Sequence, residues 1–572
     1  MSAAASIHRA DRPNLRAGLA VAAVCALAAP LFARQPVHAR HGMVVAREAH
    51  ATEAGEAVLE AGGNAIDAAV AVAFALAVTH PAAGNIGGGG FMLIRLADGR
   101  STFIDFRERA PLSASRDMYI DPVTGNPTSQ SVIGYRAVGV PGTVFGMDYA
   151  HARYGKRPWK ELVEPAVRLA RDGFPLSWGL SQNLRSQTAT DKLSQFPESK
   201  RIFLKDGVFY DFGEVFKQPE LAATLTRIRD TGAKDFYEGE TARLLAADMA
   251  AHGGNLTLED LKDYKAIERA PLEGRYKGYG ILTAPPPSSG GVGLLQMLGV
   301  LERTDYAKSG AGSAYALHCE AEAMRRYFAD RAEYLGDPDF VKLPLAALLN
   351  PAYIAKLRES IDPAKATPSE QIHAGDLAPY ESPQTTHYSI VDEMGNAVSV
   401  TYTLNTGFGS GVTATGLGFL LNDEMDDFAS KPGEPNTFGL VQGEANAIAP
   451  RKTPLSSMTP TIVTKDGRLY MVVGTPGGPT IINTVLQVIL NVIDFGMNMQ
   501  RAVDQPRIHH QWLPDTLTLE DTVSPDTVEL LKQRGHNIRL VNAIGDVAAI
   551  RLDGQWIEGA PDGRTEATAK GY

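Results

Sequence analysis

Apolar and polar positions recur along this chain with two different periods, and the switches between them mark out its layers. Residues 52–78 carry the helical period, interrupted at Gly62-Gly63. The second half of that stretch is apolar on every side apart from Asp67 in its first turn, which predicts a helix buried between layers. Strand-like runs follow at 91–96 and 102–106, with Arg107 just beyond. The middle third, about 159–357, reads as mainly helical. Its charged positions Glu320, Glu322, Arg326, Asp330 and Glu333 have the spacing of solvated i,i+4 pairs rather than of a catalytic acid pair. A proline- and alanine-rich stretch at 362–383 has the composition of an exposed linker. Period two then returns, with a run at 385–391, a turn at 392–396 and a run at 397–403. Beyond it come a Pro/Gly loop at 428–443, more strands, an apolar helix at 480–495 and a last strand group. Strands inside and helices outside predict two sheets packed face to face, each covered by helices.

The hairpin at 385–403 carries the candidate chemistry. If Val391 pairs with Ala397, counting back six places sets Thr385 opposite Thr403, with Cβ atoms roughly 5 Å apart. A threonine hydroxyl needs a nearby proton acceptor to act as a nucleophile. A threonine at an amino terminus carries its own, because an α-amino group has a reference pKa of roughly 8. Attack of the Thr385 hydroxyl on the carbonyl of Gln384, followed by hydrolysis of the resulting ester, would cut the chain and free that amine. Taken alone, Thr385 is equally a β-branched strand start, and a Thr-Thr pair across a hairpin is often purely structural.

Acyl transfer also requires donors aimed at the developing oxyanion. The strand 469–474, the turn Thr475-Pro476-Gly477-Gly478 and the helix from Thr480 form a glycine turn at a helix N-terminus, where backbone N–H groups are available. The same segment also serves as an ordinary strand-to-helix connection. Asn405, Glu424, Asp426, Asp427, Ser456 and Ser457 supply polar groups in the same half of the chain. A substrate with both an ammonium and a carboxylate would need acids for the first, and hydroxyls with an arginine for the second. The glycine run 84–90 lacks the ending of a phosphate loop, so tight backbone packing near a pocket is the preferred reading.

Length and composition narrow the class. At 572 residues, 44% hydrophobic and 21% charged, the chain has the balance of a globular protein with more than one domain-sized unit. A net charge of -10 without a Lys/Arg run argues against nucleic acid as a partner. Arg9, Arg12 and Arg16 precede the apolar run 17–32, the pattern of an export signal ending at Ala28 or Ala39. With Cys25 inside that leader, Cys319 would be left alone and no intrachain disulfide could form. His509 and its neighbours lack the spacing of a zinc helix. No metal and no organic cofactor are expected.

In this setting the motifs GNAIDAAVA, THPAAGNIGGGGFMLIR, DFRERAP, APPPSSGG, APYESPQTTHYSIVD, VTYTLNTGFGSG, MDDF, PLSSMTPTIV, GTPGG and the terminal GY resemble the γ-glutamyltransferase family. Its members are exported N-terminal-nucleophile enzymes acting on glutathione and other γ-glutamyl compounds. The resemblance implies an α+β fold, a four-layer αββα sandwich, made from one chain cut between Gln384 and Thr385. Residues 1–39 would be the leader, 40–384 a large subunit and 385–572 a small one, the two remaining together as a heterodimer in the periplasm or outside the cell. By motif match Thr385 is the nucleophile, supported by Thr403, with Gly477 and Gly478 as the oxyanion hole. Arg107, Ser456 and Ser457 would hold the substrate α-carboxylate, and Asn405, Glu424 and Asp427 its α-ammonium. Glu424 stands where some bacterial members carry glutamine, and Phe438 where several carry a tyrosine that closes the donor pocket. The competing readings are a glutaryl β-lactam acylase on the same fold, whose substrate lacks the ammonium, and an exported binding protein without catalysis.

Overall fold

The computed structural model describes residues 34–373, 385–432 and 443–572. Residues 1–33 of the expected leader, Gln384 at the expected cleavage position and Phe438 at the expected lid position lie outside the described residues. Residues 36–572 form one compact unit, not the several that length suggested, because both central sheets gather strands from distant parts of the chain.

Two seven-stranded antiparallel sheets make its centre. The first runs Thr568–Gly571, Met43–Ala46, Thr386–Val391, Ala397–Thr403, Gly89–Arg95, Ser101–Phe106 and Ile267–Arg269. The second runs Val37–Ala39, Trp556–Pro561, Ala548–Asp553, Arg468–Gly474, Thr461–Lys465, Tyr279–Thr283 and Leu272–Tyr276. Each sheet draws strands from both sides of residue 384, so neither half of the chain owns a complete sheet.

Period-two alternation sorts the first sheet's side chains between two cores. Val44, Met92, Ile94, Val398 and Val400 join a cluster with the helices Ala49–Glu60 and Ala65–Thr79 on the outer face. Met43, Val45, Phe91 and Leu93 join the other cluster, which they share with Ile462, Val472 and Val473 of the second sheet. That cluster also takes in the helices Gly290–Leu301, Ala314–Tyr334 and Thr480–Ile493. The result is the expected four-layer αββα sandwich. The helix Ala65–Thr79 is buried along its whole length, and Asn64 with Asp67 closes its start as a capping box. Tyr388 and Tyr402 anchor the hairpin 386–403 to it by donating to the carbonyls of Ala69 (3.0 Å) and Ala73 (3.1 Å). Their odd-numbered neighbours therefore face the space between the sheets.

The charge reading of one helix is corrected as well. The charged positions of Ala314–Tyr334 are not a solvated face, since Glu320, Glu322, Arg326 and Asp330 are all buried. The i,i+4 pairing survives, with Arg326 Nη1 donating to Glu322 Oε2 at 2.7 Å. However, the helix is covered on several sides, and its acids are matched internally instead of by water. Thr367 donates to Glu322 (2.6 Å), while Gln296 (2.8 Å) and Tyr353 (2.6 Å) donate to Asp330. Burial, assisted by Asp494, pushes the Glu320 carboxyl up to about 8. Glu333 alone of the five is half-buried.

Val37–Ala39 is the edge strand of the second sheet, paired with Trp556–Pro561. A leader ending at Ala39 would remove this strand, and one ending at Ala28 would leave it in place. Among the described residues no helix is long and apolar enough to cross a membrane.

Candidate active site

The hairpin has the register counted from its sequence: Val391 pairs with Ala397 and Thr386 with Tyr402. One further step sets Thr385, which immediately precedes its strand, across from Thr403. On the inter-sheet side this hairpin is polar. His387 contacts Thr401 Oγ1 through Nδ1 (2.8 Å) and Ser389 Oγ through Nε2 (3.1 Å). Burial lowers its pKa to about 3, so the imidazole is neutral. With both nitrogens engaged farther along the strands, His387 positions the hairpin and is not the base for Thr385.

The glycine run behaves as a backbone-packing device. A Cβ on Gly88 would stand 2.0 Å from the Thr403 carbonyl oxygen, and one on Gly89 would stand 2.5 Å from that of Phe106. Only glycine lets this strand pass so close to the end of the Thr403 strand and to the exit toward Arg107. Asn85 then ties the two together, its amide donating to the Thr403 carbonyl at 2.7 Å. The Thr403 hydroxyl accepts the Asn405 N–H at 2.8 Å. Asn405 adopts φ 75°, a left-handed conformation that asparagine tolerates better than most residues, and its amide donates to the Asp423 carbonyl at 2.9 Å.

Glu424–Asp427 forms one turn of 3-10 helix. Three residues per turn put positions 424 and 427 on the same face, and both meet Arg107. Arg107 Nη1 pairs with Glu424, and Nη2 donates to Asp427 Oδ2 at 2.5 Å. Asp426 points elsewhere and accepts the Ser131 hydroxyl at 2.8 Å. Burial opposes the Arg107 cation, but Glu424, Asp427 and Glu108 more than offset it and hold its pKa above the ordinary value. Burial also raises Glu424 well above the usual carboxylate range and raises Asp427, in both cases against the pull of Arg107. Glu108, which the sequence reading passed over, lies in the same cluster, and burial pushes it up to about 7. The alternating charges of DFRER directly after an apolar strand were the signal for it.

Thr385, Thr403, Asn405, Arg107, Glu424, Asp427, Ser456, Ser457 and Gly478 line one small pocket. Its volume of about 10 Å³ is room for a single water, because the cation and the acids fill it by pairing with each other. Ser456 is held by neighbouring backbone, its carbonyl accepting the Ser289 N–H at 2.7 Å. Arg331, a second buried guanidinium, reaches Ser457 Oγ at 3.4 Å. Gly477, the one predicted site residue absent from this lining, borders a second cavity that Thr385 also lines. The turn carrying it has φ 132° at Gly477 and 57° at Gly478. Thr480 closes the turn by donating its hydroxyl to the Gly477 carbonyl at 2.7 Å. Among the described residues the Gly477 and Gly478 amides have no hydrogen-bond acceptor, as an oxyanion site requires.

The site thus offers a hydroxyl, two unengaged amides, and a buried cation paired directly with two acids, the complementary charges that an amino-acid head group would meet. Comparison with known proteins agrees with it. Residues 51–572 match the family model described as Gamma-glutamyltranspeptidase. The chain is 51% identical over 533 residues to the glutathione hydrolase proenzyme of Escherichia coli K12, covering 93% of this chain and 91% of that protein. It is 38% identical to the acylase ACY 1 proenzyme of Pseudomonas sp. V22, covering 94% and 93%. Among solved structures, the cephalosporin acylase of Bacillus halodurans superposes with a TM-score of 0.85 at 28% identity, over 95% of this chain and 98% of that one. The γ-glutamyltranspeptidase of Helicobacter pylori gives 0.57 at 44% identity, over 61% of this chain and 99% of that one. This chain belongs to the γ-glutamyltranspeptidase family.

Proposed function

We propose that the protein is a γ-glutamyltransferase and glutathione hydrolase, matured by cleavage of its own Gln384-Thr385 bond. The reading rests above all on the convergence of Thr385, Thr403, Arg107 and the Glu424/Asp427 pair on one pocket. Thr385 Oγ attacks the γ-carbonyl while the free α-amine takes its proton. The Gly477 and Gly478 amides hold the oxyanion, and cysteinylglycine leaves with a proton on its nitrogen. Water, or the amine of an amino acid or peptide, then resolves the γ-glutamyl ester.

Substrate recognition follows from the charge pairing of the pocket. An incoming α-carboxylate takes Arg107 with Ser456 and Ser457, and an incoming α-ammonium takes Asn405, Glu424 and Asp427. The zwitterion replaces an internal ion pair with two intermolecular ones, so no charge is left buried and unmatched. After cleavage the large subunit, from the leader to Gln384, and the small subunit 385–572 stay together as a heterodimer, because each sheet needs strands from both. Export to the periplasm or beyond is read from the leader, and an end near Ala28 spares the edge strand Val37–Ala39.

The similarity to two acylases keeps one rival in view, a glutaryl-cleaving acylase on this fold. Its substrate has no ammonium and would leave Glu424 and Asp427 unanswered. Parallel hydrolysis of γ-glutamyl and glutaryl anilides decides between the two. A preference for γ-glutamyl supports the proposal, and a preference for glutaryl replaces it.

A further inference from the structure

Thr385 borders two cavities, and only one is accounted for by the γ-glutamyl head group. The second, about 270 Å³, has Gly477, Gly545, Arg47, His80, Asn183 and Asp546 among the residues that line it. The Gly477-Gly478 turn is the partition, with Gly478 facing the first pocket and Gly477 the second.

We infer that Arg47, on the wall of this second cavity, is the residue that recognises the carboxylate of a dipeptide acceptor during γ-glutamyl transfer. The inference rests on γ-glutamyl transfer at Thr385. With the head group in the first pocket and the γ-carbonyl at Thr385 Oγ, the rest of the substrate must continue into space that Thr385 also borders. The transfer step forms a bond from the acceptor nitrogen to the γ-carbonyl carbon and breaks the bond from that carbon to Thr385 Oγ. The proton lost by the acceptor amine passes through the Thr385 α-amine to Oγ, restoring the hydroxyl.

Arg47 is placed for this role. It follows the strand Met43–Ala46, beside the nucleophile strand. Its Nη1 donates to Asp546 Oδ2 at 2.6 Å, and among the described residues no other atom of its guanidinium is hydrogen-bonded. The side chain is 26% exposed and Asp546 11%, and both residues line the cavity, so the ion pair holds a partly accessible guanidinium at its wall. Asp546 is itself held, accepting the Thr565 hydroxyl at 2.6 Å and donating its N–H to Thr475 Oγ1 at 2.8 Å. His80 adds no competing charge, since burial and then Arg47 lower its pKa to about 3. The cavity therefore presents a positioned guanidinium in the space that an acceptor at Thr385 must occupy, and the carboxylate of a dipeptide is its chemical complement.

The test uses the purified, processed enzyme with a saturating γ-glutamyl anilide as donor. Glycylglycine and glycylglycinamide, which lacks the carboxylate, are compared as acceptors. The parent enzyme should favour glycylglycine in kcat/KM by about tenfold, as a charged hydrogen bond implies. In Arg47→Gln the ratio should fall below about twofold, and in Arg47→Lys it should partly recover. Asn183→Asp leaves the Arg47–Asp546 pair intact, sets an anion in the same cavity and should lower the ratio as well. A ratio unchanged in both Arg47→Gln and Asn183→Asp, with transfer still measurable, overturns the inference. A parent enzyme that releases no anilide would instead refute the underlying activity.

Discussion

Asp427→Asn separates recognition of the substrate ammonium from every other function of the pocket. The substitution keeps the shape of the side chain and removes its charge, at a position whose side chain is only 10% exposed. Solvent therefore screens little of the loss, and a hydrogen bond to a charged partner is worth about 1.5 to 3 kcal/mol. At about 1.4 kcal/mol per factor of ten, kcat/KM for a γ-glutamyl anilide should fall about 10- to 150-fold. A glutaryl anilide offers no ammonium to Asp427, so its kcat/KM should fall much less. The ratio of the two rates is the readout, because incomplete maturation or a shifted Arg107 lowers both together. Equal losses for the two substrates would refute the assignment of Asp427 to the ammonium and place its importance in holding Arg107.

Other expectations follow from the same contacts. Thr385→Ala should remain one uncut chain without activity, and normal cleavage of that variant on a denaturing gel would exclude Thr385 as its own processing nucleophile. Thr403→Ala leaves the Asn405 N–H without its 2.8 Å acceptor, a loss of about 1 to 3 kcal/mol, and should slow maturation at least several-fold in a time course. The histidine contribution to stability should fall as the pH drops from 7 to 5, while the raised carboxyls of Glu320 and Glu108 act in the opposite sense. His387, His509 and His510 are held neutral, at about 3, 4 and 4, while their unfolded pKa is near 6.5, so their contribution is intact above 6.5 and is lost progressively below it. In His509→Gln the urea midpoint should lose less than the parent's between pH 7 and 5, and an identical pH dependence in the two proteins would contradict this. Sequencing of the mature large subunit should give a start before Val37, and a start after Ala39 would show that the edge strand is dispensable.

Much of the site was legible because local rules and tertiary structure agree there. A five-residue turn between two period-two runs leaves one register that keeps the Tyr388 and Tyr402 rings on the helix side, and that register alone brings Thr385 to Thr403. Glycine spacing likewise announced close backbone packing at Gly88 and Gly89, where only a missing side chain fits. Charges were harder to read. Glu322, Arg326 and Asp330 have the spacing of a wet helix face, yet their partners Thr367, Gln296 and Tyr353 come from other elements that no local pattern reveals. Glu108 went unread for a related reason. Strand alternation would turn it away from Arg107, but the strand ends at Phe106, and the chain beyond it carries both side chains into one buried cluster. The two cavities meeting at Thr385 belong to the assembled sandwich and have no signature in the sequence.

The central claim is that this chain cuts itself at Gln384-Thr385 and works through the new amino terminus. Intact mass spectrometry of the purified protein tests it most directly. The account predicts two species, one of them a fragment of 188 residues, 385 to 572, beginning with a free threonine amine. A single uncut chain that nonetheless hydrolyses γ-glutamyl anilide, or a fragment beginning at any residue other than Thr385, would contradict it.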